Sequence, residues 1–128
     1  MKRTILLIED NEQNRYLETF LLEARGYYVE AASDGPLGIK MATERRYDLI
    51  LLDIQLPSMD GYAVASALRK NPATKDIPIV AVTSYAMAGD REKVLASGCD
   101  GYLEKPINPD TFVSEIEKFI SFSERDMS

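Results

Sequence analysis

The sequence predicts an α/β fold: an open, doubly wound parallel sheet of five strands flanked by five helices. Three observations carry that expectation. Short apolar runs alternate with helical patterns five times along a 128-residue chain. Some runs are apolar at every position, as parallel strands are when helices cover both faces. Polar residues gather just after the runs, where an open α/β sheet builds its ligand site.

The elements follow in order. Residues 5–8 form an unbroken β-favouring run. Residues 12–25 have helical periodicity, with Leu17, Phe20, Leu21 and Ala24 on one face, Asn11 or Glu12 at the start and Gly26 at the stop. Residues 28–32 are a second strand. Asp34-Gly35-Pro36 then turns into a helix over 36–46, with Pro36 at its first position and Gly38 weakening it by about 1 kcal/mol relative to Ala. Residues 49–52 are the third strand, and a loop around Pro57 leads to a helix over 62–70 that stops before Asn71-Pro72. Residues 77–82 are the fourth strand and 87–97 a helix ending at Gly98. Residues 101–103 are a weak fifth strand. Asn108 caps the last helix, Pro109 fits its next position, and Phe112, Ile116, Phe119 and Ile120 stripe its inner face.

Length allows one domain, residues 1–121, with a short polar tail over 122–128. The start at Met1 and the short tail favour a stand-alone protein. Lys plus Arg is 15 and Asp plus Glu is 21, giving a formal charge of −6. That acidity argues against direct nucleic-acid or membrane binding and serves solubility. The sequence has no His and one Cys, which excludes a His base, a His ligand, an intrachain disulfide and a Cys cluster for zinc. Cys99 reads as a small buried apolar residue. The opening apolar run meets Glu9 and Asp10 too early for a signal peptide, and no stretch approaches a membrane span. The expected location is the cytoplasm.

Strand ends concentrate the chemistry. The first strand ends in Glu9-Asp10, the third in Asp53 and the fourth in Thr83-Ser84, while the fifth leads into Lys105-Pro106. Neighbouring strands lie about 4.8 Å apart, so these side chains can meet. Crowded carboxylates raise one another's pKa or bind a cation. Oxygen-only ligands suit a hard ion such as Mg²⁺. A carboxylate beside such an ion can attack phosphorus, with the Lys105 ammonium and the Thr83 hydroxyl neutralising the transferring group.

With these residues the chain resembles the receiver domains of response regulators in two-component phosphorelay signalling. The matching motifs are Ile-Leu-Leu-Ile-Glu-Asp-Asn at 5–11, Asp-Leu-Ile-Leu-Leu-Asp-Ile-Gln-Leu-Pro-Ser-Met-Asp-Gly at 48–61, Pro-Ile-Val-Ala-Val-Thr-Ser at 78–84 and Gly-Tyr-Leu-Glu-Lys-Pro at 101–106. The resemblance implies a flavodoxin-like sheet of order 2-1-3-4-5. It implies that Asp53 accepts a phosphoryl group from a histidine kinase or histidine phosphotransfer protein. It makes Asp10 a direct Mg²⁺ ligand, Glu9 a ligand through water, and Asp53 and the Gln55 carbonyl further ligands. It pairs Lys105 with the phosphoryl oxygens across a cis Lys105-Pro106 bond. It makes Thr83 and Tyr102 the switch pair and the fourth helix, fifth strand and fifth helix the surface read by a downstream effector. Gln55 and Tyr85 are expected to flank the attacking water. Asn14, Arg15 and Glu18 on the first helix are candidates for donor docking. The expected assembly is a monomer or weak dimer, and the expected role is signalling, in which the protein takes part in its own phosphorylation and dephosphorylation.

Other functions fit less well. Aspartate-nucleophile phosphatases often carry an Asp two residues past the nucleophile, where this chain has Gln55, and there is no cap insertion. A flavin carrier needs a Ser/Thr/Gly-rich phosphate loop after the first strand, where Glu9-Asp10 would repel the phosphate. A receiver-like adapter that takes no phosphate has no need of the full set of site residues.

Overall fold

The structure, a computed structural model, describes residues 3–84 and 88–124. Five strands alternate with five helices: β1 (Thr4–Ile8), α1 (Glu12–Ala24), β2 (Tyr28–Ala32), α2 (Gly35–Glu44), β3 (Leu49–Asp53), α3 (Gly61–Lys70), β4 (Ile79–Thr83), α4 (Ala88–Ala96), β5 (Gly101–Glu104) and α5 (Phe112–Glu124). The strands form one parallel sheet of order β2-β1-β3-β4-β5. The fold is the flavodoxin-like arrangement expected from the sequence, with the strand order reversing between β1 and β3.

Alternation along each strand divides the core into two layers. Leu6, Ile8, Ile50, Leu52, Ile79 and Ala81 face one side, where Ala42, Val64, Leu68 and Val94 of α2, α3 and α4 cover them. Ile5, Leu7, Leu49, Leu51, Val80 and Val82 face the other, under Leu22 of α1 and Phe112, Val113, Ile116 and Ile120 of α5. Successive strand residues are thus buried against different helices, which is why the central runs carry no polar position.

Three helices begin on an Asx cap: the side chains of Asn11, Asp34 and Asp60 accept the Asn14, Leu37 and Ala63 backbone N–H at 2.8–2.9 Å. Most element ends lie within a residue or two of the sequence expectation. The last helix starts at Phe112 rather than beside Asn108, whose carbonyl instead accepts the Phe112 N–H at 2.9 Å across an intervening turn. It runs on to Glu124, past the expected start of the tail.

Two readings of helix interiors change. Gly38 is a packing requirement rather than a weak point: a Cβ there would lie 2.4 Å from Ile8 Cδ1, so only glycine lets α2 approach β1 this closely. The inner face of α1 is also different. It buries Glu18 and Leu22, whereas Leu17, Phe20 and Ala24 are exposed and Leu21 is half-buried. Leu22 meets the core one helical turn after Glu18, so the two share a face.

Candidate functional site

The carboxyl edge of the sheet brings most of the predicted residues together. Glu9 and Asp10 leave β1, Asp53 ends β3, Thr83 ends β4, and Lys105 follows β5. Oxygens of Glu9, Asp10 and Asp53 lie within 4.8 Å of one another. Glu9 and Asp53 are buried and Asp10 is exposed, so the cluster opens outward on the Asp10 side.

Each carboxylate is aimed by its surroundings. Glu9 Oε2 accepts the Asn11 N–H at 3.1 Å, and Asp53 Oδ1 accepts the Gln55 N–H at 2.9 Å. The Lys105 ammonium lies 3.2 Å from Glu9 Oε1 and 3.2 Å from Asp53 Oδ2. Its backbone N–H donates to the Thr83 carbonyl at 2.8 Å, and the Lys105-Pro106 peptide is cis, as expected. Thr83 is buried beside this contact.

Two buried acids so close to each other are costly to ionise. Burial first, and Asp53 second, push Glu9 up to about 7. Burial also pulls on the Lys105 ammonium, but the Asp53 and Glu9 charges outweigh it and hold that pKa above its ordinary value. Among the described residues Lys105 is the cation in direct contact with these carboxylates. A clustered set of carboxylate oxygens from Glu9, Asp10 and Asp53 fits a hard divalent cation.

A family model described as the response regulator receiver domain matches residues 5–117. The chain belongs to that family. Receiver domains of this family are signalling modules. The polar-differentiation response regulator DivK of Brucella anthropi is 38% identical over 120 residues, covering 94% of this chain and 98% of that protein. The receiver domain of a sensor histidine kinase from Pseudomonas aeruginosa superposes with a TM-score of 0.87 at 35% identity, covering 94% and 99% of the two chains. That structure holds a magnesium ion coordinated in its active-site cleft. The chemotaxis response regulator CheY4 of Vibrio cholerae gives a TM-score of 0.89 at 28% identity, covering 93% and 99%.

The receiver frame locates the other candidates. Tyr102 is half-buried on β5 opposite Ala81, while Thr83 is opposite Glu104, two positions further along. The Arg91 guanidinium of α4 lies over the Tyr102 ring, 5.2 Å from its centroid. The Gln55 side chain reaches across the edge, its Oε1 accepting the Ser84 N–H at 3.0 Å. Tyr85 lies outside the described residues. No helix among the described residues is long and apolar enough to cross a membrane.

Two expectations for α1 need correction. Arg15 is engaged inside the site: its Nη1 donates to the Glu9 and Asp10 carbonyls at 2.9 Å each, tying α1 to the acidic pair. Glu18 is 2% exposed and so offers no solvated charge for docking. The helical spacing of Arg15 after Asn11 was the available signal, but a charged helix residue ordinarily reads as solvated. Cys99 is buried as expected, and burial pushes its thiol up to about 11, which leaves it inert at neutral pH.

Proposed function

We propose that Asp53 is the phosphoacceptor of a receiver unit spanning residues 1–121. The observation that carries this reading is the Asp53 carboxylate itself. It is buried at the end of β3, held by the Gln55 N–H through Oδ1 and by the Lys105 ammonium through Oδ2. The donor is a phosphohistidine of a kinase or phosphotransfer protein. An Asp53 oxygen attacks phosphorus, the P–N bond breaks, and the histidine nitrogen leaves with its electron pair. Lys105 follows the transferred oxygens, and the Thr83 hydroxyl hydrogen-bonds one of them.

Glu9, Asp10, Asp53 and the Gln55 carbonyl would hold Mg²⁺, which when bound neutralises charge on the phosphoryl oxygens. Phosphorylation adds roughly −1.5 to −2 charge at Asp53. It biases a two-state equilibrium only through contacts that differ between the states. Thr83 drawn toward the phosphoryl group, and Tyr102 moving inward behind it, supply such contacts. The altered α4–β5–α5 surface then recruits an effector protein. Gln55 flanks the water that ends the signal, and replacing Gln55 or Tyr85 changes phosphoryl lifetime more than Mg²⁺ affinity.

The test is intact mass after incubation with acetyl phosphate, with and without Mg²⁺, for the wild type and Asp53→Asn. The expected result is a Mg²⁺-dependent phosphoryl adduct on the wild type alone. Equal labelling of the variant, or no labelling of the wild type, overturns the assignment.

A further inference from the structure

Each buried acid of the pocket gives one oxygen to a backbone N–H and the other to Lys105. Glu9 Oε2 accepts the Asn11 N–H, and its Oε1 lies 3.2 Å from the ammonium. Asp53 Oδ1 accepts the Gln55 N–H, and its Oδ2 lies 3.2 Å from the same ammonium. A dication held by Glu9 and Asp53 therefore has to share these second oxygens with Lys105, and two cations on the same oxygens repel. The ammonium then needs another partner. Beside the pocket a cleft of about 270 Å³ opens between α1 and the segment after β5, and Lys105 lines it together with Leu17, Glu18, Pro106 and Ile107.

Glu18, on the wall of that cleft, is an acid with no evident structural use. It is 2% exposed, and its Oε1 has no hydrogen-bond partner among the described residues. A buried carboxyl without a partner costs the fold free energy. Leu22, one turn on, shows that this face of α1 accepts an apolar side chain. A residue that breaks a packing rule without local compensation points to a function. The charges around Glu18 say which. Burial, then the Glu9 charge, oppose its ionisation; the Lys105 charge favours it, and the Asp53 charge opposes it. A dication in the pocket would offset the Glu9 and Asp53 charges. That removes two obstacles to a Glu18 carboxylate while it displaces Lys105, and both changes favour the same new pair. Leu17, Pro106 and Ile107 supply apolar surface for the lysine methylene stem, so the ammonium can turn to Glu18 while its stem stays packed.

We propose that Glu18 is a positioning residue for Lys105. It takes the ammonium when a divalent cation occupies the acidic pocket, which uncovers Asp53 Oδ2 and keeps Lys105 beside the site until phosphoryl oxygens arrive. This proposal rests on the reading of Glu9, Asp10 and Asp53 as a Mg²⁺ site, and its test separates the two. The test is a double-mutant cycle on the Mg²⁺ affinity of the unphosphorylated protein, measured by calorimetry for the wild type, Glu18→Gln, Lys105→Met and the double variant. Glu18→Gln keeps the shape of the side chain, and strand amide dispersion reports that each variant is folded. Glu18→Gln is expected to weaken Mg²⁺ binding about fivefold or more with Lys105 present, and to lose most of that effect in the Lys105→Met background. A direct charge effect of Glu18 on the cation would act equally in both backgrounds, so equal factors overturn the proposal, as does an unchanged affinity in Glu18→Gln. A second readout is the ε-carbon signal of Lys105 in ¹³C-lysine-labelled protein, assigned by its loss in Lys105→Met. With Mg²⁺ saturating, that signal is expected to differ between wild type and Glu18→Gln, and an identical position overturns the proposal. Mg²⁺ binding without coupling between Glu18 and Lys105 overturns this proposal alone. No Mg²⁺ binding by the wild type overturns the metal reading with it.

Discussion

Around Asp53 the contacts are short, buried and largely made to backbone, whereas among its described side chains α4 is seated by one buried valine and two cation–ring contacts. The two regions belong to one sheet. Residues 5–8 and 49–52 are at most 1% exposed, α2 closes on Ile8 through Gly38, and α3 closes on Asp53 and Ile54 through Gly61. Among the described side chains of α4 only Val94 is buried, and Leu95 is 46% exposed. The helix is otherwise lashed by Arg91 over Tyr102 at 5.2 Å and Lys93 over Tyr62 at 4.5 Å. Positions that must hold a reacting phosphorus benefit from rigidity. A surface that reports the reaction needs a seat that can be exchanged at small cost, and an exposed cation–π contact is worth only about 0.5–1 kcal/mol.

The largest expected effect tests the rigid half. A Cβ at Gly61 would lie 2.5 Å from Ile54 Cα and 2.7 Å from the Asp53 carbonyl oxygen, both backbone atoms with little room to yield. Gly61→Ala should therefore cost about 3 kcal/mol in urea unfolding and displace the Asp53 loop enough to slow phosphoryl uptake. Unchanged stability would show that the loop is as adjustable as the α4 face.

Next is the acid buried in α1. Its folded pKa of about 8 lies above the ordinary glutamate value of 4.5. Between those values the folded chain keeps a proton that the unfolded chain has released, so stability falls as pH rises through the window. Glu18→Leu should flatten that slope and raise stability by about 2 kcal/mol at pH 8. Denaturant midpoints at pH 5 and pH 8 measure it, and an equal slope in the variant would remove Glu18 as its source.

Mg²⁺ affinity comes third. With Glu9 near 7, binding a cation expels a proton below that pH. Affinity measured calorimetrically should weaken by up to about tenfold per unit below pH 7. Heat signals in two buffers of different ionisation enthalpy would count the proton released. A pH-independent affinity would mean that Glu9 is already ionised in the folded protein.

The same contrast explains what the sequence made legible. The strands were readable because a parallel sheet buries both faces, and α5 because Phe112, Ile116, Phe119 and Ile120 repeat at helical spacing. Convergence of Glu9, Asp10, Asp53 and Lys105 followed from reading strand ends, since order and register then bring those positions together. The face of α1 was misread because hydrophobicity alone does not separate a core stripe from an exposed ridge. Tyr16, Leu17 and Phe20 face out, and a glutamate takes the inner position. Arg15 was hidden for the converse reason: its partners are backbone carbonyls, which leave no trace in residue identity. Gly38 looked like a weak helix position because the Ile8 side chain it accommodates lies on another element.

The smallest expected stability effect bears on the weaker half of the comparison. Arg91→Gln and Lys93→Gln should each cost under about 1 kcal/mol, because both cations are exposed and their ring contacts are screened. Their dynamic effect should be larger than that figure suggests. With one buried side chain among those described in α4, loss of either lash removes a large share of what opposes local opening. Amide exchange in residues 90–96 should accelerate in both variants, while exchange in β1 and β3 stays at the wild-type rate. Under the switch proposed for Thr83 and Tyr102, Arg91→Gln should add a second consequence, because it removes the guanidinium that lies over the Tyr102 ring. Released from it, the ring should populate its inward position more often before any phosphoryl group arrives, and Lys93→Gln, which acts on Tyr62, should not reproduce this. Ring signals of ¹³C-labelled tyrosine, compared across the two variants, distinguish a specific restraint on Tyr102 from general loosening of α4.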